Sequence, residues 1–430
     1  MTTPGEGGRS ARLRAVLVDV APLRLDHDFR WLFAGQTVNG TGNQITRVAL
    51  PFQVYLLTGS TLALGLLAFL QLVPILVFSL GAGSIADAVD RRRLLALTQL
   101  GLMLCSASLF LLAIQPQPNI ALILVVAVIA ASISSFDLPA RSATIPRLVP
   151  PERLPSAIAL GQLNFQAQSI IGPAIGGLIL ATLGIAAAYA IDVLSFTASL
   201  LALTRIRPLP PLGTVVRPSI AAIREGLAFA RRRRVILSTF VIDLNAMIFG
   251  MPTALFPALA LDVFKVGPAG VGFMVAAPAL GALFGAIFSG AVARIRRTGI
   301  SIVWCVIAWG AAITAFGLAT FSFPLALLFL AAAGAADVIS AVLRSTLVQT
   351  ETPDQLRGRV TALHVLAVTS GPRIGDIEAA AVAALVGAQA SVVSGGILCI
   401  VGAVVVARYF PELPRHLARH VAPNPAAAAA

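Results

Sequence analysis

The stretch ALGLLAFLQLVPILVFSLGAGSIADAVDRRRLLALTQLGLMLCSASLFLLAI, residues 63–114, decides the fold. Two apolar runs flank a short turn that holds Asp87, Asp90 and the arginines Arg91, Arg92 and Arg93. A bilayer's hydrocarbon core is roughly 30 Å thick, so a spanning helix needs about 20 apolar residues. Lipid offers the backbone no hydrogen-bond partner, so runs of that length must be helices. The unit is therefore a helical hairpin that crosses a membrane twice around a basic turn.

Working outward, the same unit recurs along the chain. Spanning helices are expected at 31–57, 63–86, 94–114, 119–138, 155–183, 185–205, 236–261, 268–293, 300–320, 322–343, 358–386 and 388–408. The basic residues sort against this map. All 31 except Lys265, Arg47 and Arg373 fall in the N-terminal segment, the central linker, the tail, or the turns after helices 2, 4, 8 and 10. By the positive-inside rule those parts are cytoplasmic, both termini included. The expectation is an all-α, multi-pass protein of the plasma (inner) membrane. The formal net charge of +13 is spread over membrane-flanking turns, where anionic lipid explains it; no nucleic-acid partner is expected. Apolar residues are 58% of the chain and charged residues 11%, far from a soluble composition.

Five parts are expected: a cytoplasmic segment 1–30, a six-helix half 31–205, a cytoplasmic linker 206–235, a second six-helix half 236–409 and a disordered tail 410–430. No cleavable signal peptide is read in the polar, basic N-terminus. The linker carries RPLPPLG and a basic amphipathic stretch ending in RRRR, read as an interfacial helix. Cys105, Cys305 and Cys399 all lie in expected helices, which argues against a disulfide framework.

The halves repeat each other at a spacing near 200 residues. Asn39 and Pro51 match Asn245 and Pro257; Gly65 and Gly83 match Gly272 and Gly290. The turns Pro151-Glu152-Arg153-Leu154 and Pro353-Asp354-Gln355-Leu356 correspond, as do GPAIGG at 172–177 and GPRIGD at 371–376. Two parallel six-helix repeats place a substrate site between the halves, near the midplane.

Several residue groups carry chemistry. In helix 1, Gln36, Asn39, Asn43 and Arg47 share one face. An arginine in hydrocarbon is costly unless it faces a cavity or a partner, so that face is expected to line the cavity; snorkelling to the outer surface is the alternative for Arg47. Asn245, Met247 and Met251 of helix 7 join this cavity set. Asp243, Asp337, Arg373, Asp376 and Glu378 are the candidates for proton coupling or an internal ion pair, with Arg373 and Asp376 spaced to touch. His364 is a weaker proton candidate, and Asp137 is read as the partner of Arg141. No HExxH, GxSxG, phosphate loop or CxxC is present. Neither an enzyme nor a metal site is expected, nor a cofactor; protons are the coupling ion these buried carboxylates lead one to expect.

The turn GSIADAVDRRR resembles the facilitator loop pattern G-x-x-x-D-(R/K)-x-G-(R/K)-(R/K), matched by Gly83, Asp87, Arg91 and Arg92, with Ala88 and Asp90 departing from it. GPAIGG, through Gly172, Pro173, Gly176 and Gly177, resembles the antiporter motif of facilitator exporters. Together with HDFRWLFAGQTVN, ALPFQVYLLTGSTLALGLL and LVQTETPDQLRGRV, these motifs resemble the major facilitator superfamily in its enterobactin-exporter (transmembrane secretion effector) branch, over about residues 25–410. The resemblance implies twelve helices in two pseudo-symmetric halves, the major facilitator fold. It also implies a cytoplasmic gate at Gly83, Asp87, Arg91 and Arg92, a monomer, and proton-driven efflux of a siderophore, drug or secondary metabolite by alternating access. Arg47, Arg373 and Glu378 depart from that branch, so the siderophore itself is not carried over. A proton symporter importing a polar nutrient is the second reading. A non-transporting membrane scaffold or lipid-handling protein, which would not need the buried charges, is the third.

Overall fold

The computed structural model describes residues 19–210, 220–287 and 295–417, without the side chains of 79–87, 138 and 220–223. The tail from residue 418, the first 18 residues, linker residues 211–219 and residues 288–294 with Gly290 and Arg294 lie outside that description, as does the side chain of Asp87; Gly83 is described by its backbone alone. Every regular element described is helical, and no strand occurs among the described residues. The long helices are α1 (His27–Thr58), α2 (Thr61–Ala88), α3 (Arg91–Ala113), α4 (Ile120–Leu148), α5 (Leu154–Thr182) and α6 (Gly184–Thr204), followed by α7 (Arg234–Phe249), α8 (Gly267–Ile287), α9 (Thr298–Leu318), α10 (Phe323–Glu351), α11 (Asp354–Val386) and α12 (Ala388–Tyr409).

Among the described residues, length and composition qualify ten spans as able to cross a membrane, α1 and α11 being the two long helices left out. Those two hold Gln36, Asn39, Asn43, Gln44 and Arg47, and Arg373, Asp376 and Glu378. They are the polar helices of the bundle interior. The bundle's outside is apolar: Leu66, Leu97, Leu104, Leu194, Trp304 and Leu328 are among many large side chains exposed there. In water such a surface would drive association; in lipid it is solvated.

The two halves repeat in three dimensions. In the first, α1 packs on α5 and α6, α2 on α4, and α3 on α4 and α6; in the second, α7 packs on α11 and α12, α8 on α10, and α9 on α10 and α12. The halves meet along two matching seams, α5 with α8 and α11 with α2. Glycine explains both. A Cβ on Gly177 of α5 would sit 2.9 Å from the Gly272 Cα of α8, and one on Gly65 of α2 would sit 2.8 Å from the Ala380 Cβ of α11. Small residues let membrane helices approach this closely and gain dispersion contacts.

Inside each half, the repeated motifs do the same job. Gly172 and Gly176 of GPAIGG press on Gln44 and Ile45 of α1, while Gly371 and Gly375 of GPRIGD press on Met247 and Ile248 of α7. At the end bearing both termini, ion pairs and hydrogen bonds hold each half to itself. Arg153 meets Asp26 at 2.9 Å, Arg141 meets Asp137 at 2.7 Å, and Arg91 donates to the Ala143 carbonyl at 2.6 Å. On the second half, Arg359 meets Glu225 of the linker helix at 2.7 Å, and His416, past α12, stands 3.4 Å from Glu351. The described links between halves lie at mid-depth and toward the opposite end. There Gln166 donates to the Ala279 carbonyl at 2.5 Å, and the Tyr55 hydroxyl donates to Asp262.

The linker is shared between the halves. Leu209 donates to Asp90 at 3.0 Å, which pins the start of the linker to the first half. The helix Ile220–Arg232 packs on α11. Its Phe229 and Ala230 cluster with Ile236, Val348 and Val360, so part of its apolar face covers protein rather than lipid.

Candidate substrate cavity and charge clusters

A cavity of about 280 Å³ lies between the halves. Gln44 and Arg47 of α1 and Phe165 and Gln166 of α5 line one side; Met251, Phe256, Trp309, Ile313 and Asp337 line the other. A second cavity of about 90 Å³ adjoins it through the shared residues Arg47, Thr253 and Val275, and adds Arg373 and Asp376.

The site owes its shape to a break in α7. The sequence reading expects one helix over 236–261; instead α7 stops at Phe249 and the chain turns helical again only at Thr253. Pro252 is the cause. It has no N–H to donate and disfavours helical geometry at Met251 before it. A break inside a membrane bundle needs its freed backbone groups bonded by protein. Trp309 Nε1 donates to the Gly250 carbonyl at 2.8 Å. On the other side of the break, Asp376 accepts from Thr253 Oγ1 at 2.8 Å and from the Ala254 N–H at 2.7 Å. Asp376 thus caps the restarted helix from another element, where a carboxylate also complements the positive helix end.

The second cluster is built on Arg344, which is 2% exposed. The sequence reading places Arg344 beside a cytoplasmic turn, but α10 runs on to Glu351 and buries it. Its guanidinium stands 2.8 Å from Asp243 and 3.5 Å from Asp337, and donates to Ser340 Oγ at 2.7 Å. Neither oxygen of Asp243 has a hydrogen bond in the structure, so charge rather than aligned donors holds that contact. His364 Nδ1 lies 4.0 Å from Asp243 on the other side. Asp337 reaches from this cluster to the wall of the larger cavity.

The expected cavity residues divide. Arg47 is exposed, and the cavities are what it is exposed to; Met251 also lines the larger one. Asn39 is fully buried, with Asn43 donating to it at 3.0 Å, and the Gln36 carbonyl accepts from Gln168. The Asn43–Asn39 bond lies within α1, and Gln36 is tied to α5 through its backbone carbonyl. Asn245 turns to the Cys399 carbonyl of α12 at 2.9 Å, and Met247 is packed under Gly371. Arg373 and Asp376 share the small cavity, where the Arg373 charge acts on Asp376, and Asp376 accepts its described hydrogen bonds from the α7 break. Glu378 is half-buried and has no hydrogen bond or ion pair among the described residues. Of the expected gate, Arg91 bonds α4 and Arg92 donates to the Thr204 carbonyl at 3.3 Å.

The burial of Arg344 escaped the sequence reading, and Asp192, an in-helix acidic candidate near the outer end of helix 6, has a different role from the one its position suggests. Arg344 was legible as the third member of a face, since Asp337, Ser340 and Arg344 are three and four residues apart on α10. Asp192 of α6 is buried and accepts from Thr46 and Ser106 at 2.7 Å each. Those partners come from α1 and α3, so its role as a three-helix tie is invisible in one segment's pattern.

A profile of transmembrane secretion effectors matches residues 18–427. The enterobactin exporter EntS of Shigella boydii serotype 18 is 28% identical over 405 residues, spanning 93% of this chain and 95% of the relative. Among solved structures, a bacterial homolog of the human lysosomal transporter Spinster, inward-facing and occupied, superposes with a TM-score of 0.70 at 14% identity, over 91% of this chain and 98% of that one. A bacterial homologue of the iron transporter ferroportin in an inward-facing state gives 0.67 at 16% identity, over 91% and 99%.

Proposed function

The chain belongs to the transmembrane secretion effector family and has the major facilitator fold, and on that premise we propose that it exports small organic molecules across the plasma membrane. In this reading its basic end and both termini face the cytoplasm, which the arginine distribution supports. The substrate enters the cavity between the halves, and rocking about the α5–α8 and α11–α2 seams exposes that cavity to each side in turn.

One observation carries this reading: a cavity bounded by both halves opens onto Asp337, whose carboxylate reaches the buried Asp243–Arg344 pair. Ionised groups at this depth are expensive to keep and mark ion or proton pathways. A proton on Asp243 or Asp337 removes part of the charge that holds Arg344. The cluster joins α7 to α10, so the loosened contact lets those helices shift. Protons entering from outside then drive the return of the empty carrier. In everted vesicles, an exported compound should accumulate only while a proton gradient is present, and D337N should abolish accumulation. Accumulation that persists after the gradient is collapsed would overturn the coupling.

A further inference from the structure

We infer that Arg47 and Arg373 form a clamp for the anionic group, a carboxylate or phosphate, of an amphiphilic substrate whose apolar body fills the larger cavity. The inference rests on the transport reading of that cavity and names the substrate class.

Both guanidiniums line the small cavity, and neither makes a hydrogen bond or ion pair among the described residues. Within the membrane span that is unusual, since an arginine there is retained only with a partner or a polar role. Arg344, at similar depth, has two carboxylates and a hydroxyl. The one carboxylate lining the small cavity with Arg47 and Arg373 is Asp376, already committed to Thr253 and Ala254, while Asp337 on the larger cavity is paired with Arg344. Two cations and one anion leave the pocket positive. Guanidinium forks match carboxylate and phosphate oxygens in pairs.

Sequence and shape agree with this. Where GPRIGD carries Arg373 and Asp376, the matching GPAIGG carries Ala174 and Gly177. The helix packing of this motif therefore does not require a cation at that position. Arg47 belongs to both cavities. An anionic head held there would place its apolar remainder against Phe256, Val275, Trp309 and Ile313. The pocket is framed by both halves, so a soluble amphiphilic anion, rather than a bilayer lipid, is the occupant.

The test uses the full chain in phosphatidylcholine nanodiscs and matched probes: 2-naphthoate and decanoate against 2-naphthamide and decanamide. In the wild type each acid should bind at least about ten-fold more tightly than its amide. R47Q and R373Q should bring the ratio close to one, and R47K and R373K should restore part of it. The wild-type ratio needs no variant, so misfolding cannot hide the answer. If no acid binds better than its amide, or if the ratio survives both glutamine variants, the clamp is refuted. Competition by added phosphatidylglycerol would assign the clamp to a lipid headgroup. Counterflow of the same probes in proteoliposomes separates the two claims. Acid-selective binding without counterflow keeps the clamp and removes the transport reading; equal counterflow of acid and amide keeps transport and removes the clamp.

Discussion

At the scale of single residues, the bundle's interior is decided by where a few charges find partners. Arg344 is 2% exposed and pairs with Asp243, whose side chain is equally buried. Removing one partner of such a pair strands the other, at a cost of about 3–5 kcal/mol. R344Q should therefore lower the melting temperature sharply, while the double variant D243N/R344Q should recover much of it. A double variant no more stable than R344Q would show that the pair is not the reason. Asp376 makes a different point. D376A removes the cap on the restarted half of α7 and should cost about 1–2 kcal/mol, whereas D376N, which keeps an acceptor, should cost much less; equal losses would contradict the capping role. The sequence allowed only part of this to be read. Helical spacing told which of Gln36, Asn39, Asn43 and Arg47 share a face. It could not tell which neighbour covers that face, and α5 and α6 cover most of it above Arg47. Arg344 was hidden because a basic residue near an expected helix end looks like a topological signal.

At the scale of elements, the long apolar helices were legible because lipid imposes one length and one hydrogen-bonding solution. The antiporter-like motif was also legible, though its targets were not: Gly172 and Gly176 serve α1, and only Gly177 serves the seam between halves. Substituting Gly177 by valine puts a branched side chain against the α8 backbone, an overpacking that typically costs about 1–3 kcal/mol. G177V and G272V should each destabilise the chain and slow transport, and the double variant should be non-additive because both crowd one contact. Additive losses would place the two glycines in separate contacts. The break in α7 was the main miss. Gly250-Met251-Pro252 sits inside an otherwise continuous apolar run, and apolarity alone does not reveal that Trp309 and Asp376 wait to bond the two new ends.

At the scale of the whole molecule, the links between halves among the described residues lie at mid-depth and at the end away from the basic turns. Tyr55 and Asp262 join the halves at that far end. Y55F removes a hydrogen bond to a charged group, worth about 1.5–3 kcal/mol. A cysteine placed at Thr253 should then react faster with an impermeant thiol reagent added from the far side. Unchanged reactivity would mean that other contacts hold the closure. If the substrate is an anion, its exit is also favoured by an inside-negative potential, by roughly 2.3 kcal/mol per charge per 100 mV. Imposing a potassium diffusion potential in everted vesicles, without a pH gradient, should by itself change the initial uptake rate of 2-naphthoate and leave 2-naphthamide unaffected.

The short piece Thr253–Val263 answers to two masters. At one tip Asp376 grips Thr253 and Ala254 beside the arginines; at the other, Asp262 is tied to Tyr55 on the opposite half. If the chain transports as proposed, a change of grip at the inner tip has roughly three turns of chain through which to reach the outer tie. That makes this fragment the first place to look for variants that open without cargo.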